Sequence, residues 1–209
     1  MTKINFKTLL PITAFLMLFL ISCGKSYSPG QKKYIAEIET FRKQKNLQFL
    51  KDPNSPFNQD PKAVFHPLNY YDVNPDFVFK SKLIEYSKKD TITIYGTQGE
   101  ERKAVRFGYL TFTYNNKPYK LNVYENKTGN GQKYYSIWFT DKTTNKETYG
   151  VGRYLEFEKR DDPNFVYTID FNLAFNPYCA YSSNFTCAIP TREDYIDLAI
   201  EAGEKKFHE

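Results

Sequence analysis

Tyr119, Leu121 and Val123 alternate with Lys120, Asn122 and Tyr124, and the chain then reaches Gly129-Asn130-Gly131. A period of two is the repeat of a strand, whose successive side chains point to opposite faces. A helical face instead repeats its apolar residues every three or four positions. The glycine–asparagine–glycine run supplies the positive φ angles of a tight hairpin. The same signature recurs in both directions. Residues 77–86 alternate through Phe77, Phe79 and Leu83, and Thr91 to Tyr95 is short and β-branched. Ala104 to Tyr114 leads into Asn115-Asn116, a second hairpin signal. Tyr135 to Phe139, Val151 to Phe157, Phe165 to Phe171 and Ile196 to Ile200 follow. About eight strands joined mostly by hairpin-sized loops predict an all-β antiparallel meander, a small barrel or a sandwich. An eight-stranded barrel holds one small ligand in its mouth.

One segment breaks the pattern. From Lys32 to Phe49, Tyr34, Ile38 and Phe41 recur at spacings of four and three, and Asp52-Pro53-Asn54-Ser55-Pro56 stops the run. This predicts a single amphipathic helix. If the helix covers one sheet face, the alternative architecture is α+β.

The N-terminal region carries an address. Lys3 and Lys7 precede an apolar run from Leu9 to Leu20, broken by Pro11 and Thr13, and Leu20-Ile21-Ser22-Cys23 closes it. The run has the length of a signal peptide's apolar region and falls short of the roughly 20 residues that span a bilayer. Leu-Ile-Ser-Cys reads as a bacterial lipobox. Residues 1–22 are then a cleaved signal, 23–31 the lipidated Cys23 with a flexible tether, and 32–209 one globular domain. An ordinary secretory signal and an uncleaved anchor are the competing readings. Acylation at Cys23 would fix the domain to a membrane. Gly24, not an acidic residue, follows Cys23, which favours the periplasmic face of the outer membrane in a diderm host. Loss of Lys3 and Lys7 leaves 27 basic against 24 acidic residues. That balance, spread along the chain, is no nucleic-acid footprint.

Chemistry-bearing residues concentrate between 149 and 204. Tyr149, Arg153, Asp170, Asn172 and Asn176 are the candidate pocket residues, set within an otherwise apolar β pattern. Arg153 is the expected partner of Asp170, because a guanidinium matches a carboxylate bidentately; the pair either fixes register or clamps an anion. Gly150 and Gly152 are too short a motif for a phosphate loop and mark a bulge or a close strand approach. Glu201 and Glu204, three apart, point to opposite faces of a strand unless Gly203 bends it, and are expected to be solvated or capping. Ser182-Ser183 lacks the glycines of a nucleophile elbow. Cys179 and Cys187 form an even pair, which in an oxidising compartment defaults to a disulfide. Buried free thiols and a reactive thiol are the alternatives. The chain has two histidines, His66 and His208, neither at ligand spacing from the cysteines, so neither a metal nor a cofactor is implied.

TYGVGRYLEF, DFNLAFNPYCAY, TCAIP and IEAGEKKF, preceded by SPF, FHPLNYY and DFVF, together resemble the domain of unknown function 1684 family. The resemblance runs from about Tyr34 to Phe207. It departs at Tyr178, Ala188 and Thr191, where the family usually carries prolines. It implies a shared fold and no established activity. Relatives without export signals also carry both cysteines, so it leaves the thiol state open. Three functional readings stand: a membrane-tethered β-domain binding a small molecule or an envelope protein, an enzyme using Cys179 or Asp170 with His66, and a purely structural envelope lipoprotein. The first is favoured.

Overall fold

A computed structural model describes residues 25–208. The signal segment and Cys23 lie outside the described residues. Helix α1 (Pro29–Lys51) starts on a capping box: Ser28 accepts from the Gln31 amide and Gln31 reaches back to the Ser28 amide, with Pro29 in the first turn. It therefore begins within the expected tether. Ser55 caps a short second helix, α2 (Pro56–Gln59). The Asn58 side chain donates to the carbonyls of Leu50 (3.2 Å) and Asp52 (2.8 Å), satisfying acceptors that the end of α1 leaves open.

Nine strands follow: β1 (Val78–Lys82), β2 (Ile84–Glu85), β3 (Thr91–Tyr95), β4 (Glu101–Tyr114), β5 (Lys117–Lys127), β6 (Lys133–Asp141), β7 (Arg153–Leu155), β8 (Val166–Asp170) and β9 (Tyr195–Ile196). The main sheet has the order β2-β4-β5-β6-β7, with β3 also on β4 and β9 on β6. Strands β4 to β7 form the expected antiparallel meander. Asn115 and Asn116 sit at φ 49° and 61° in its first turn, the backbone that a two-residue hairpin needs.

Two pairings depart from a simple meander. Strand β8 leaves β7 and pairs with β1. Strand β9 runs parallel to β6 rather than continuing the hairpins. Among the described residues no closed barrel forms. The fold is mostly β with one long N-terminal helix, in the manner of a sandwich or an α+β domain.

The core lies between the meander and the β1–β8 ribbon. Leu110 and Phe112 of β4, Leu121 and Val123 of β5, Ile137 and Phe139 of β6, and Leu155 of β7 meet Tyr167 and Ile169 of β8. The opposite face of the meander is covered as well. Asn122 and Tyr124, the polar-side residues of the alternating run, are 2% and 0% exposed. The segment around 188–196 lies over them, with Tyr124 stacked on Trp138 at 4.5 Å. Burial of polar side chains demands partners, and Asp194 supplies them. Its carboxylate accepts from Asn122 (2.9 Å), Tyr124 (2.7 Å), Trp138 (3.2 Å) and the Thr191 amide (2.7 Å).

Candidate functional site

Helix α1 is tied to the rest of the fold by polar contacts along one face, with Phe49 packed among Phe57, Leu68 and Tyr181. Ile38, Arg42 and Phe49 are buried, and Tyr34 and Lys45 share their face at spacings of three and four. The Tyr34 hydroxyl donates to both Asp170 oxygens at 2.8 Å. Burial, then the Asp170 carboxylate, push that hydroxyl far above the usual tyrosine range, so it stays a donor. Arg42 donates to the carbonyls of Tyr71 (2.8 Å) and Asn172 (3.3 Å) and lies 4.4 Å over the Tyr70 ring. Lys45 pairs with Glu204 at 2.9 Å. The expected inward pattern is therefore shifted: Phe41, 46% exposed, and Leu47 face away from the core, and Arg42 points in.

The neighbouring face of α1 does not touch the sheet, and a cavity of about 540 Å³ lies between them. Its floor is Leu110, Leu121, Ile137, Leu155 and Ile169, all buried, one or more from each of β4 to β8. Its rim is Phe41, Gln44, Gln48, Glu156, Leu173 and Tyr178, all exposed. Lys45, Thr168 and Asp170 also border it. The Lys45 charge is committed to Glu204, and its ammonium lies 4.9 Å from the Phe175 ring centroid. The remaining charged groups at the cavity, Asp170 and Glu156, are acidic. The site therefore offers an apolar floor and a mixed rim, in which Phe41, Leu173 and Tyr178 stand beside Gln44, Gln48 and Glu156.

Of the five candidate pocket residues, Asp170 borders this cavity. The expected pairing of Arg153 with Asp170 does not form. Arg153, 1% exposed, donates to Asp141 (2.7 Å), to the carbonyls of Ile200 (2.9 Å) and Glu204 (3.3 Å), and to that of Ala202. On β7 it shares the core face with Leu155 and lies against the Phe139 ring at 5.3 Å, whereas Asp170 accepts from Tyr34 of α1. Asn172 donates to Tyr34 (3.0 Å) and the Asn74 carbonyl (2.9 Å), and accepts from the Asn74 amide (2.7 Å). Asn176 donates its amide to Glu204 (2.7 Å) and its side chain to the Lys205 carbonyl (2.8 Å). Tyr149 donates to the Cys179 carbonyl at 3.2 Å. These four hold backbone segments together.

Glu204 corrects the expectation of solvated carboxylates. It is 1% exposed and accepts from Lys45, Tyr70, the Asn176 amide and Tyr181. Gly203 makes this possible at φ 79°, because a Cβ there would stand 2.6 Å from the carbonyl oxygens of Phe171 and Ala174. The one signal for it was that glycine; Asp194 had no comparable signal, since its donors come from distant strands. Gly152 marks a close approach: a Cβ would meet the Phe139 carbonyl oxygen at 2.5 Å.

The cysteines stand side by side as thiols, Cys179 half-buried and Cys187 buried. The Cys179 amide donates to Cys187 Sγ at 3.2 Å, and the Tyr149 hydroxyl lies 3.7 Å from Cys179 Sγ. The Cys187 thiol, then Tyr149, hold the Cys179 thiol down to about 7 against burial; the same contact and burial push Cys187 up. A Cys179–His66 pair is not assembled, because the exposed His66 ring stacks on Phe207 at 3.8 Å. Ser182 donates to Asp60 at 2.6 Å. Among the described residues, no group of three or more His, Cys, Asp or Glu is placed to hold a metal, and no helix is long and apolar enough to cross a membrane.

A family model described as "Protein of unknown function (DUF1684)" matches residues 63–205. The solution NMR structure of an uncharacterized protein of Haloarcula marismortui is similar, with 25% sequence identity and a TM-score of 0.59 over 86% of this chain and 98% of that one. No curated protein matches the sequence.

Proposed function

The chain belongs to the DUF1684 family of proteins of unknown function, and from the cavity beneath α1 we propose that it is a lipid-anchored binding domain for a small apolar molecule. The observation that carries this reading is the cavity itself. At about 540 Å³ it falls within the roughly 300–1,000 Å³ of small-molecule sites, which pair an apolar lining with a few placed polar groups. The charges at the cavity that lack a cationic partner, Glu156 and the Tyr34-bound Asp170, are acidic and favour a neutral or cationic head group over a carboxylate or phosphate. Anchoring through an acylated Cys23, at the periplasmic face of the outer membrane in a diderm host, is supported by the lipobox and by Gly24. An aliphatic cavity on a membrane-tethered domain suits molecules that partition between bilayer and water.

Titration of the purified protein with Nile red, a neutral apolar dye, tests the cavity. Leu173→Trp places a bulky ring at the exposed rim and should weaken dye binding by about tenfold or more with an unchanged melting temperature. Absence of saturable dye binding, or equal binding by the variant, would overturn the reading. Cys23→Ala should move the protein from the membrane to the soluble fraction and abolish incorporation of a labelled palmitate analogue; retention of the label refutes the anchor.

A further inference from the structure

We propose that Cys179 and Cys187 are a thiol–disulfide exchange pair, in which Cys179 attacks an incoming disulfide of the glutathione class and Cys187 resolves the mixed disulfide. The proposal is independent of the cavity reading.

The two sulfurs occupy unlike surroundings within one contact. Cys179 belongs to a short 3-10 turn, Tyr178–Ala180, and is half-buried, so a small disulfide can reach it. Cys187 is buried, and its backbone is fixed to the β3–β4 turn: its amide donates to the Thr97 hydroxyl (3.2 Å) and its carbonyl accepts from the Thr97 amide (3.0 Å). The Tyr149 hydroxyl, shared with the Cys179 carbonyl, lies 3.7 Å from Cys179 Sγ, while the Cys179 amide is aimed at Cys187 Sγ from 3.2 Å and holds the resolving sulfur beside the turn. Donors near sulfur favour the thiolate, the nucleophilic form, and a reactive cysteine is marked by such surroundings together with partial exposure. Arg102, paired with Glu100, donates to the Thr186 carbonyl at 3.1 Å and fixes the chain just before Cys187. One half-buried sulfur within reach of a small disulfide and one fixed sulfur behind it is the arrangement of an attacking and a resolving cysteine.

The chemistry balances with one disulfide as oxidant. The Cys179 thiolate attacks a sulfur of the disulfide RSSR; the Cys179–SR bond forms and one RS⁻ leaves. Cys187 then gives up its proton and attacks the Cys179 sulfur, the intramolecular disulfide forms, and the second RS⁻ leaves. Both leaving thiolates take up the two protons lost by the cysteines, so RSSR is reduced to two RSH and the pair is oxidised. The resulting bridge would tie the turn that carries the cavity-rim residue Tyr178 to the β3–β4 turn.

The test uses the purified protein in glutathione buffers, with whole-protein mass spectrometry after acid quenching. The native pair should shift from dithiol to disulfide as the ratio of oxidised to reduced glutathione rises, and shift back when the ratio is reversed. Cys187→Ser should accumulate one glutathione adduct on Cys179, while Cys179→Ser should accumulate none. Iodoacetamide at pH 7 should modify Cys179 of the native dithiol at least about tenfold faster than Cys187. The alkylation ratio is read on the native chain, so it stands even if a variant fails to fold. Equal alkylation of the two thiols, no adduct on a folded Cys187→Ser protein, or a disulfide that excess reduced glutathione cannot open would each overturn the proposal.

Discussion

Arg153→Met is the substitution that most sharply separates a residue that holds the fold from one that holds a ligand. The methionine keeps most of the side-chain volume and removes every donor. It leaves the Asp141 carboxylate, 0% exposed in its side chain, without its cation, and leaves the carbonyls of Ile200, Ala202 and Glu204 without the guanidinium. Removing one partner of a buried ion pair costs about 3–5 kcal/mol. An unsatisfied buried acceptor costs about 1–3 kcal/mol, less whatever entering water restores. Asp141 keeps the Thr143 amide at 2.6 Å, which limits the loss. The expected destabilisation is about 5 kcal/mol, a third or more of the roughly 5–15 kcal/mol that stabilises a domain. With an m-value of about 2–3 kcal/mol/M the urea midpoint should fall by about 2 M. The chain's single tryptophan, Trp138, is buried against Tyr124 and reports the transition. Asp141→Asn added to Arg153→Met should cost less than the sum of the two single changes by about 1.5 kcal/mol or more, because the uncompensated charge is then gone. A variant within about 1 kcal/mol of the parent, or one that loses Nile red binding with an unchanged urea curve, would refute this account and make Arg153 a ligand clamp.

Tyr34→Phe removes the hydroxyl shared by Asp170 and Asn172 and should cost about 1.5–3 kcal/mol. It should also speed Nile red release in stopped flow, since α1 walls the cavity; an unchanged release rate would separate the tie from the site. Gly203→Ala drives a Cβ to 2.6 Å from two carbonyl oxygens at φ 79° and should destabilise by about 2–4 kcal/mol, read as a lowered melting temperature; a neutral result would mean the turn relaxes freely. Asp197 is held down to about 2 from 3.8 by hydrogen bonds from Lys117 and then Lys142. Its folded-state pKa is depressed, so its contribution is present above 3.8 and lost as pH falls through about 2. Asp197→Asn should flatten the pH dependence of stability across that window, more at low than at high salt; superimposable acid limbs would refute it.

Local signals suffice where local chemistry decides the outcome. Thr91 to Tyr95 is a strand with the expected bounds, Asn115-Asn116 turns the chain, and Tyr167 and Ile169 share the buried face of β8. The start of α1 is also written locally, in Ser28, Pro29 and Gln31, upstream of the apolar spacing that begins at Tyr34. Partnership across the fold was not legible. Val166 pairs with Lys82, and Tyr195 with Thr140, only because distant segments meet. Acidic residues default to solvent, and apart from Gly203 nothing near Asp194 or Glu204 announces that Trp138, Tyr124, Lys45 and Tyr181 arrive to solvate them. The cavity was hidden for the same reason, since one wall comes from α1 and its floor from five strands.

The segment from Ile200 to Lys205 completes polar groups that are all synthesised before it: Arg153, Asn176, Lys45 and Tyr70. Ala202 follows Arg153 by 49 residues. At about 5–20 residues per second, a ribosome makes Arg153 roughly 2–10 s before its acceptors exist. During that interval closing the sheet over Arg153 would bury a cation with Asp141 as its counterion and three bonds missing, a burial that costs more than it returns. The last segment made thus sets the order of assembly: burial of Arg153 is favourable only once the carbonyls of Ile200, Ala202 and Glu204 exist.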